Sequence, residues 1–70
     1  MTIDEFKDMV DTSDTSYTYK DETFLAAYTA NGYEFLGKNG VTYYETIDDM
    51  LNKQTIDGKL LKDCLSQVDW

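Results

Sequence analysis

Apolar positions near the start of the chain recur at the spacing of one helix face. Phe6 and Val10 are four residues apart and therefore lie on the same side of a helix. Just before them, Thr2 and Glu5 have the spacing of a capping box, in which each side chain bonds the other residue's amide. This pattern predicts a short first helix over about residues 3–11.

The middle of the chain has the composition and alternation of β-strands. Aromatic and β-branched residues alternate with polar ones over 16–20, which predicts a first strand. The apolar segments 23–30, 33–37 and 41–44 predict three more strands. Together these segments predict four strands in the central part of the chain.

Two Asn-Gly dipeptides separate the last three of these strands. Asn31-Gly32 and Asn39-Gly40 are the signal that best supports a two-residue type I′ hairpin. Residues 23–44 are therefore predicted to form a three-stranded antiparallel meander. We expect the strand at 16–20 to be added at one edge of this sheet.

Helical signals return after the strands. Thr46 is a candidate N-cap for a helix of about two turns that ends at 52–54, and Asp57-Gly58 predicts a turn. Beyond it, an amphipathic stripe with spacing i, i+3, i+4 and i+7 predicts a last helix, formed by Leu61, Cys64, Leu65 and Val68. The prediction is a single α+β domain over 1–70, with two C-terminal helices packed on one face of the sheet.

Both faces of the predicted sheet carry apolar side chains. Two-residue loops at the Asn-Gly dipeptides would pair Tyr28 with Phe35 and place Tyr44 on that face. The opposite face would carry Tyr43 beside Leu36. Helices cover only one face, so aromatic surface should remain for a partner, and Phe35 and Tyr43 are candidate partner-binding residues. The alternative is that these aromatic residues only fill the core.

Charge narrows the classes of partner. The 70 residues contain fourteen acidic residues and six lysines, with no arginine or histidine, and have a net charge of −8. Direct binding to nucleic acid or to an anionic membrane needs clustered cations, and the lysines are scattered.

The acidic start lacks the basic residues of a signal peptide, and no apolar run could span a bilayer. With a single cysteine, we expect a cytoplasmic protein.

The residue types also argue against catalysis. Without histidine or arginine, neither a nucleophile–histidine pair nor an arginine clamp for phosphate can be built. Cys64 lies on the apolar stripe of the last predicted helix, which is typical of a core thiol. A reactive or dimer-bridging thiol is the alternative. We expect a non-enzyme with no metal and no cofactor.

Acidic residues concentrate in the first third of the chain. Asp4, Asp8 and Asp11 recur at i, i+4 and i+7 and should line one side of the first helix. Residues 1–22 hold seven acidic residues and two lysines, a local charge of −5. The acidic candidate partner-binding residues are Asp4, Asp8, Asp11, Asp14, Asp21 and Glu22. Such a surface either keeps the protein soluble or attracts a basic partner.

Two hypotheses of function follow. The first is a non-enzymatic protein-binding domain, most concretely an acidic inhibitor or regulator that imitates nucleic acid before a basic nucleic-acid-handling protein. In size and acidity, though in no motif, the chain is similar to phage-borne inhibitors of this kind. The second is a self-associating structural domain that forms a homodimer through an aromatic sheet face.

Overall fold

An antiparallel sheet with helices on one face makes up the fold in a computed structural model that describes residues 1–13 and 15–69. The helices are α1 (Ile3–Thr12), α2 (Ile47–Lys53) and α3 (Leu61–Cys64), the last continued by a 3-10 turn (Leu65–Gln67). The strands are β1 (Thr15–Tyr19), β2 (Glu22–Thr29), β3 (Gly32–Gly37), β4 (Gly40–Tyr44), β5 (Thr55–Ile56), β6 (Lys59–Leu60) and β7 (Val68–Asp69). The predicted α+β class is confirmed.

The first helix begins at the predicted capping box. The Glu5 amide donates to the Thr2 hydroxyl at 3.1 Å, and the Thr2 amide donates to the Glu5 carboxylate at 2.8 Å. That second bond holds the pKa of Glu5 below its usual value. Phe6 and Val10 are buried against the sheet, and the helix ends where Ser13 becomes extended. The sequence therefore predicted α1 to within one residue.

The three-stranded meander is confirmed, but the prediction that its Asn-Gly dipeptides form type I′ turns is wrong. Thr29 pairs with Gly32, so Ala30 and Asn31 form the loop, and only Gly32 has a positive φ, of 111°. This fits a type I turn followed by a glycine bulge. The Thr29 hydroxyl stabilises it, because it accepts from the Asn31 amide at 3.1 Å and donates to the Gly32 carbonyl at 2.9 Å.

The second hairpin has the same construction. Gly37 pairs with Gly40, the loop is Lys38-Asn39, and Gly40 has a φ of 112°. A type I′ turn does occur at Asp57-Gly58, where both residues have positive φ and connect β5 to β6. The turn predicted there is thus confirmed, together with a short hairpin that the sequence did not indicate.

The strand register differs from the predicted one by two residues. Ala26 pairs with Phe35, and Tyr28 pairs with Tyr33 instead of Phe35. Since side chains alternate along a strand, an even shift leaves every residue on its predicted face. The two apolar faces were therefore predicted correctly from a wrong register.

One edge of the sheet also differs in part from the prediction. The strand order is β4-β3-β2-β1-β7, but β7 pairs with β1 only at Thr18 and Tyr19, so the rest of β1 keeps the predicted edge position. Val68 was expected on the last helix. It lies instead in β7, where it pairs with Tyr19 of β1 and is buried. The helix α3 and its 3-10 turn end at Gln67. Val68, the last residue of the predicted apolar stripe, therefore reaches the core from a strand. The C-terminal helices still pack on the predicted single face.

Four aromatic rings in a row hold the helices to the sheet. The ring centroids of Phe6 and Tyr17 are 5.4 Å apart, those of Tyr17 and Phe24 5.3 Å, and those of Phe24 and Phe35 5.0 Å. We call these four residues the aromatic ladder. It crosses from α1 over β1 and β2 to β3, and Met50, Leu61 and Leu65 close the core around it.

One group in the ladder lacks a polar partner. The Tyr17 hydroxyl is buried and has no hydrogen-bond partner among the described residues, and burial raises its pKa. By contrast, the half-buried Tyr44 donates to the Gln54 side-chain oxygen at 2.7 Å. The two tyrosines therefore allow a matched comparison of an unpaired and a paired hydroxyl.

Two glycines with nearly equal φ provide a first prediction. A Cβ at Gly32 would lie 2.7 Å from the Tyr44 carbonyl oxygen, whereas a Cβ at Gly40 meets nothing within 4 Å. Gly40→Ala should cost about 1 kcal/mol of unfolding free energy from its φ alone. Gly32→Ala should cost at least about 1 kcal/mol more, because backbone must also move. Urea unfolding followed by circular dichroism measures both; equal losses would contradict the predicted clash.

The tyrosine pair gives a second prediction. Tyr17→Phe should leave the unfolding free energy within about 1 kcal/mol of wild type or raise it, whereas Tyr44→Phe should lower it by about 1 kcal/mol. Because burial raises the folded-state pKa of Tyr17 above the unfolded value near 10, ionisation of this group leaves the unfolding free energy unchanged well below pH 10 and lowers it as the pH rises above 10. The unfolding free energy measured in urea should therefore fall less steeply between about pH 7 and 11 for Tyr17→Phe than for wild type. A steeper fall would contradict the burial argument.

Candidate partner-binding surfaces

The helix-free face of the sheet carries an exposed apolar patch. Leu36, Val41 and Tyr43 are 46%, 47% and 46% exposed, and the half-buried Leu25 lies beside Leu36 across β2 and β3. The Tyr43 hydroxyl donates to the Glu34 carboxylate at 3.1 Å. We call Leu25, Leu36, Val41 and Tyr43 the open-face patch. It places Tyr43 where a partner can reach it.

The second aromatic candidate lies elsewhere. Phe35 is 5% exposed and stacks on Phe24 as the last ring of the aromatic ladder. It faces the helices, so in this fold its ring is not available to a partner. Its apolar character is explained by the core.

The acidic candidates on the first helix form a continuous exposed row. Asp4, Asp8 and Asp11 are all exposed along one side of α1. Lys7, on the neighbouring row, turns away: its ammonium bonds the Asp48 carboxylate at 2.9 Å, which raises the pKa of Lys7. Within the described residues, no lysine forms an ion pair with the three carboxylates.

Two further acidic candidates, Asp21 and Glu22, do not extend this row. Asp21 and Glu22 follow β1 at the strand end away from Asp11, and Glu22 is held by the Lys38 ammonium at 2.6 Å. Asp14 lies outside the described residues. The structure thus gathers three of the predicted acidic residues and separates two.

A tyrosine pair, with Tyr28 exposed and Tyr33 half-buried, adjoins the acidic row. The Tyr33 hydroxyl donates to the Asp11 carboxylate at 3.0 Å, and the ring centroids of Tyr33 and Tyr28 are 4.8 Å apart. Tyr28 is 60% exposed, while burial and then the Asp11 bond raise the pKa of Tyr33. The sequence did not predict this pair, because the predicted register placed Phe35 opposite Tyr28. We call Asp4, Asp8, Asp11, Tyr28 and Tyr33 the acidic-tyrosine edge.

A cleft of about 280 Å³ lies between the sheet and the β5–β6 hairpin. Its lining includes the buried side chains Phe24, Phe35 and Ile56. The charged residues that line it are Glu22 and Lys38, which pair with each other, and Asp57, which pairs with Lys20. Among the described residues, each charged side chain of the cleft is therefore already held in an ion pair.

Three features of the described residues bear on metal binding, thiol reactivity and membrane insertion. No three histidine, cysteine or acidic side chains among residues 1–13 and 15–69 are placed to hold a metal ion. The Cys64 thiol is 1% exposed and lies 3.9 Å from the Ile56 carbonyl oxygen, as a packed core thiol does. No helix in this part of the chain has the length and apolarity needed to cross a membrane.

Comparison with protein families, with curated proteins and with solved structures found no match to this chain. The geometry of its surfaces must therefore carry the functional argument.

Proposed function

We propose that this chain is a non-enzymatic protein-binding domain that recognises a basic partner through the acidic-tyrosine edge. Its most concrete form is an inhibitor or regulator of a basic nucleic-acid-handling protein, which it would engage by imitating nucleic acid. The observation that carries the proposal is the bond between Tyr33 and Asp11, which joins a row of carboxylates to exposed aromatic surface. The unbridged Cys64 favours the reducing cytoplasm as its compartment.

The distribution of ion pairs supports this choice of surface. Four lysines are bound to acidic residues elsewhere, in the pairs Lys7–Asp48, Lys20–Asp57, Lys38–Glu22 and Lys53–Asp49. Those pairs reduce the negative potential around them. The row of Asp4, Asp8 and Asp11 on α1 therefore has the more concentrated negative potential. A surface of one sign steers an oppositely charged partner and raises its association rate.

The spacing of the row sets the scale of the imitation. At 1.5 Å of rise per residue, Asp4 and Asp8 are separated by about 6 Å along the helix axis, and Asp8 and Asp11 by about 4.5 Å. One strand of duplex DNA presents a charge about every 3.4 Å. The row therefore imitates a short and slightly sparse stretch of one strand, enough for a few cationic side chains. The tyrosines add contact area of the type enriched at interfaces.

Neutralising the row tests this function. Asp4→Asn, Asp8→Asn and Asp11→Asn in one chain should slow association with a basic partner by at least about tenfold at low salt, because steering is lost. Asparagine can still accept the Tyr33 hydroxyl bond, so the fold should be kept. The partner is captured from a nuclease-treated lysate of the source cell, and association rates are measured by surface plasmon resonance at two salt concentrations.

The matched control removes the same charge elsewhere. Glu45→Gln, Asp63→Asn and Asp69→Asn change three exposed acidic residues outside the edge. This variant should associate within about threefold of wild type, since screening limits distant charges to about 8 Å. If both triple variants slow association equally, net charge and not the edge determines binding. A captured partner that does not bind nucleic acid would contradict the mimicry.

Self-association is a second candidate function, favoured by the open-face patch and by β4. Within the described residues β4 pairs only with β3, and its sequence Gly-Val-Thr-Tyr-Tyr has no charge and no proline. Natural edge strands are usually protected by lysine, proline or a bulge. Two copies could therefore pair their β4 strands and continue the apolar patch across the dimer.

Light scattering coupled to size-exclusion chromatography tests the dimer. Self-association through β4 predicts a dimer that persists in high salt and that Val41→Lys converts to monomer, because charges at the seam would repel. Ser66→Lys provides the control, since Ser66 is exposed in the 3-10 turn and not on the sheet face that carries the patch. A monomer at high protein concentration would exclude this candidate.

A further inference from the structure

One place on the acidic-tyrosine edge combines a carboxylate with two aromatic rings. Asp11 accepts the Tyr33 hydroxyl bond through one oxygen, Oδ1, and the exposed ring of Tyr28 lies against Tyr33. The bond to Tyr33 fixes the carboxylate beside the rings but uses only part of its capacity, because a carboxylate can accept about four hydrogen bonds. An anion and an open ring face are therefore held together at the surface.

The chain itself fills a similar arrangement with a cation. The Lys20 ammonium lies 5.4 Å from the centre of the Tyr19 ring and 3.5 Å from the Asp57 carboxylate. A tyrosine and an aspartate thus hold a lysine within this molecule. At Tyr28 and Asp11, no lysine of the described residues takes the corresponding place.

We propose that Tyr28, Tyr33 and Asp11 form a subsite for one arginine side chain of the basic partner. The guanidinium stacks on the Tyr28 ring and donates to the Asp11 carboxylate, while Tyr33 positions that carboxylate. This inference rests on the proposed function and names the side chain that its surface selects. No bond is made or broken.

Arginine fits this subsite better than lysine for three physical reasons. Its guanidinium is planar and stacks on an aromatic ring, it is more weakly hydrated than an ammonium, and its N–H groups form a fork that matches a carboxylate. Lysine can also contact a ring and a carboxylate, as Lys20 does, but its ammonium has neither the planar stacking surface nor the fork of donors. The rest of the acidic row attracts either cation, so selectivity for arginine should come from the tyrosine pair.

The test uses two blocked, glycine-spaced peptides, one with arginine and one with lysine at the same positions. Binding to the intact protein is followed by NMR through the Tyr28 and Tyr33 ring signals. Wild type should bind the arginine peptide about two- to fivefold more tightly than the lysine peptide, as expected of an exposed cation–π contact. Tyr28→Leu should abolish this preference, and Tyr43→Leu, at the other exposed tyrosine, should keep it.

The contribution of the carboxylate is tested in the same way. Asp11→Asn should weaken binding of the arginine peptide more than Asp63→Asn does. The second variant removes an equal charge from an exposed site on α3. Circular dichroism confirms that each variant is folded. Equal binding of the two peptides, an unchanged preference in Tyr28→Leu, or equal losses in the two asparagine variants would each overturn the subsite.

The result is separable from that for the proposed function. If both peptides bind equally and salt weakens both, the subsite is wrong and the acidic edge still attracts cations. If neither peptide binds, the subsite is also wrong, and the capture of a basic partner by wild type but not by the α1 triple variant decides the function independently.

Discussion

The aromatic ladder is the interaction on which the rest of this structure depends. A chain of 70 residues buries a modest share of its surface, and the single cysteine cannot form a disulfide within it. The rings of Phe6, Tyr17, Phe24 and Phe35, of which the last three are stacked, supply large apolar area and join α1 to three strands. Because the ladder fixes the position of α1, it also decides where the acidic row of that helix lies relative to the sheet.

The negative charge of the protein is arranged unevenly around this core. Lysines and acidic residues pair near the turns and along α2, where the pairs link neighbouring segments. Such exposed pairs contribute little to stability, so their main effect is on the surface potential. They leave α1 with unpaired carboxylates beside the tyrosines, and this contrast is the physical basis for choosing one surface over the others.

Local signals in the sequence predicted local structure, whereas long-range pairing had to come from the structure. The caps at Thr2 and Thr46 and the alternation of the strands depend on neighbouring residues, and both helix starts are confirmed. The strand β7 could not be predicted, because Val68 fits a helical stripe and only its contact with Tyr19 makes it a strand residue. The tyrosine pair was missed for the same reason, since it depends on register. The acidic row needed only helical spacing and was predicted in full.

The turn at 29–32 decides which aromatic side chains lie opposite each other on β2 and β3. Hydrophobic alternation accepts either of two registers that differ by two residues, so the Thr29 hydroxyl and the positive φ of Gly32 select between them. In the other register Tyr28 would face Phe35, and Tyr33 would move away from it. That shift would also carry Phe35 away from Phe24 and break the aromatic ladder, so the turn and the core select the same register. The pairing of Tyr28 with Tyr33 beside the acidic row is therefore fixed by the same register that assembles the core.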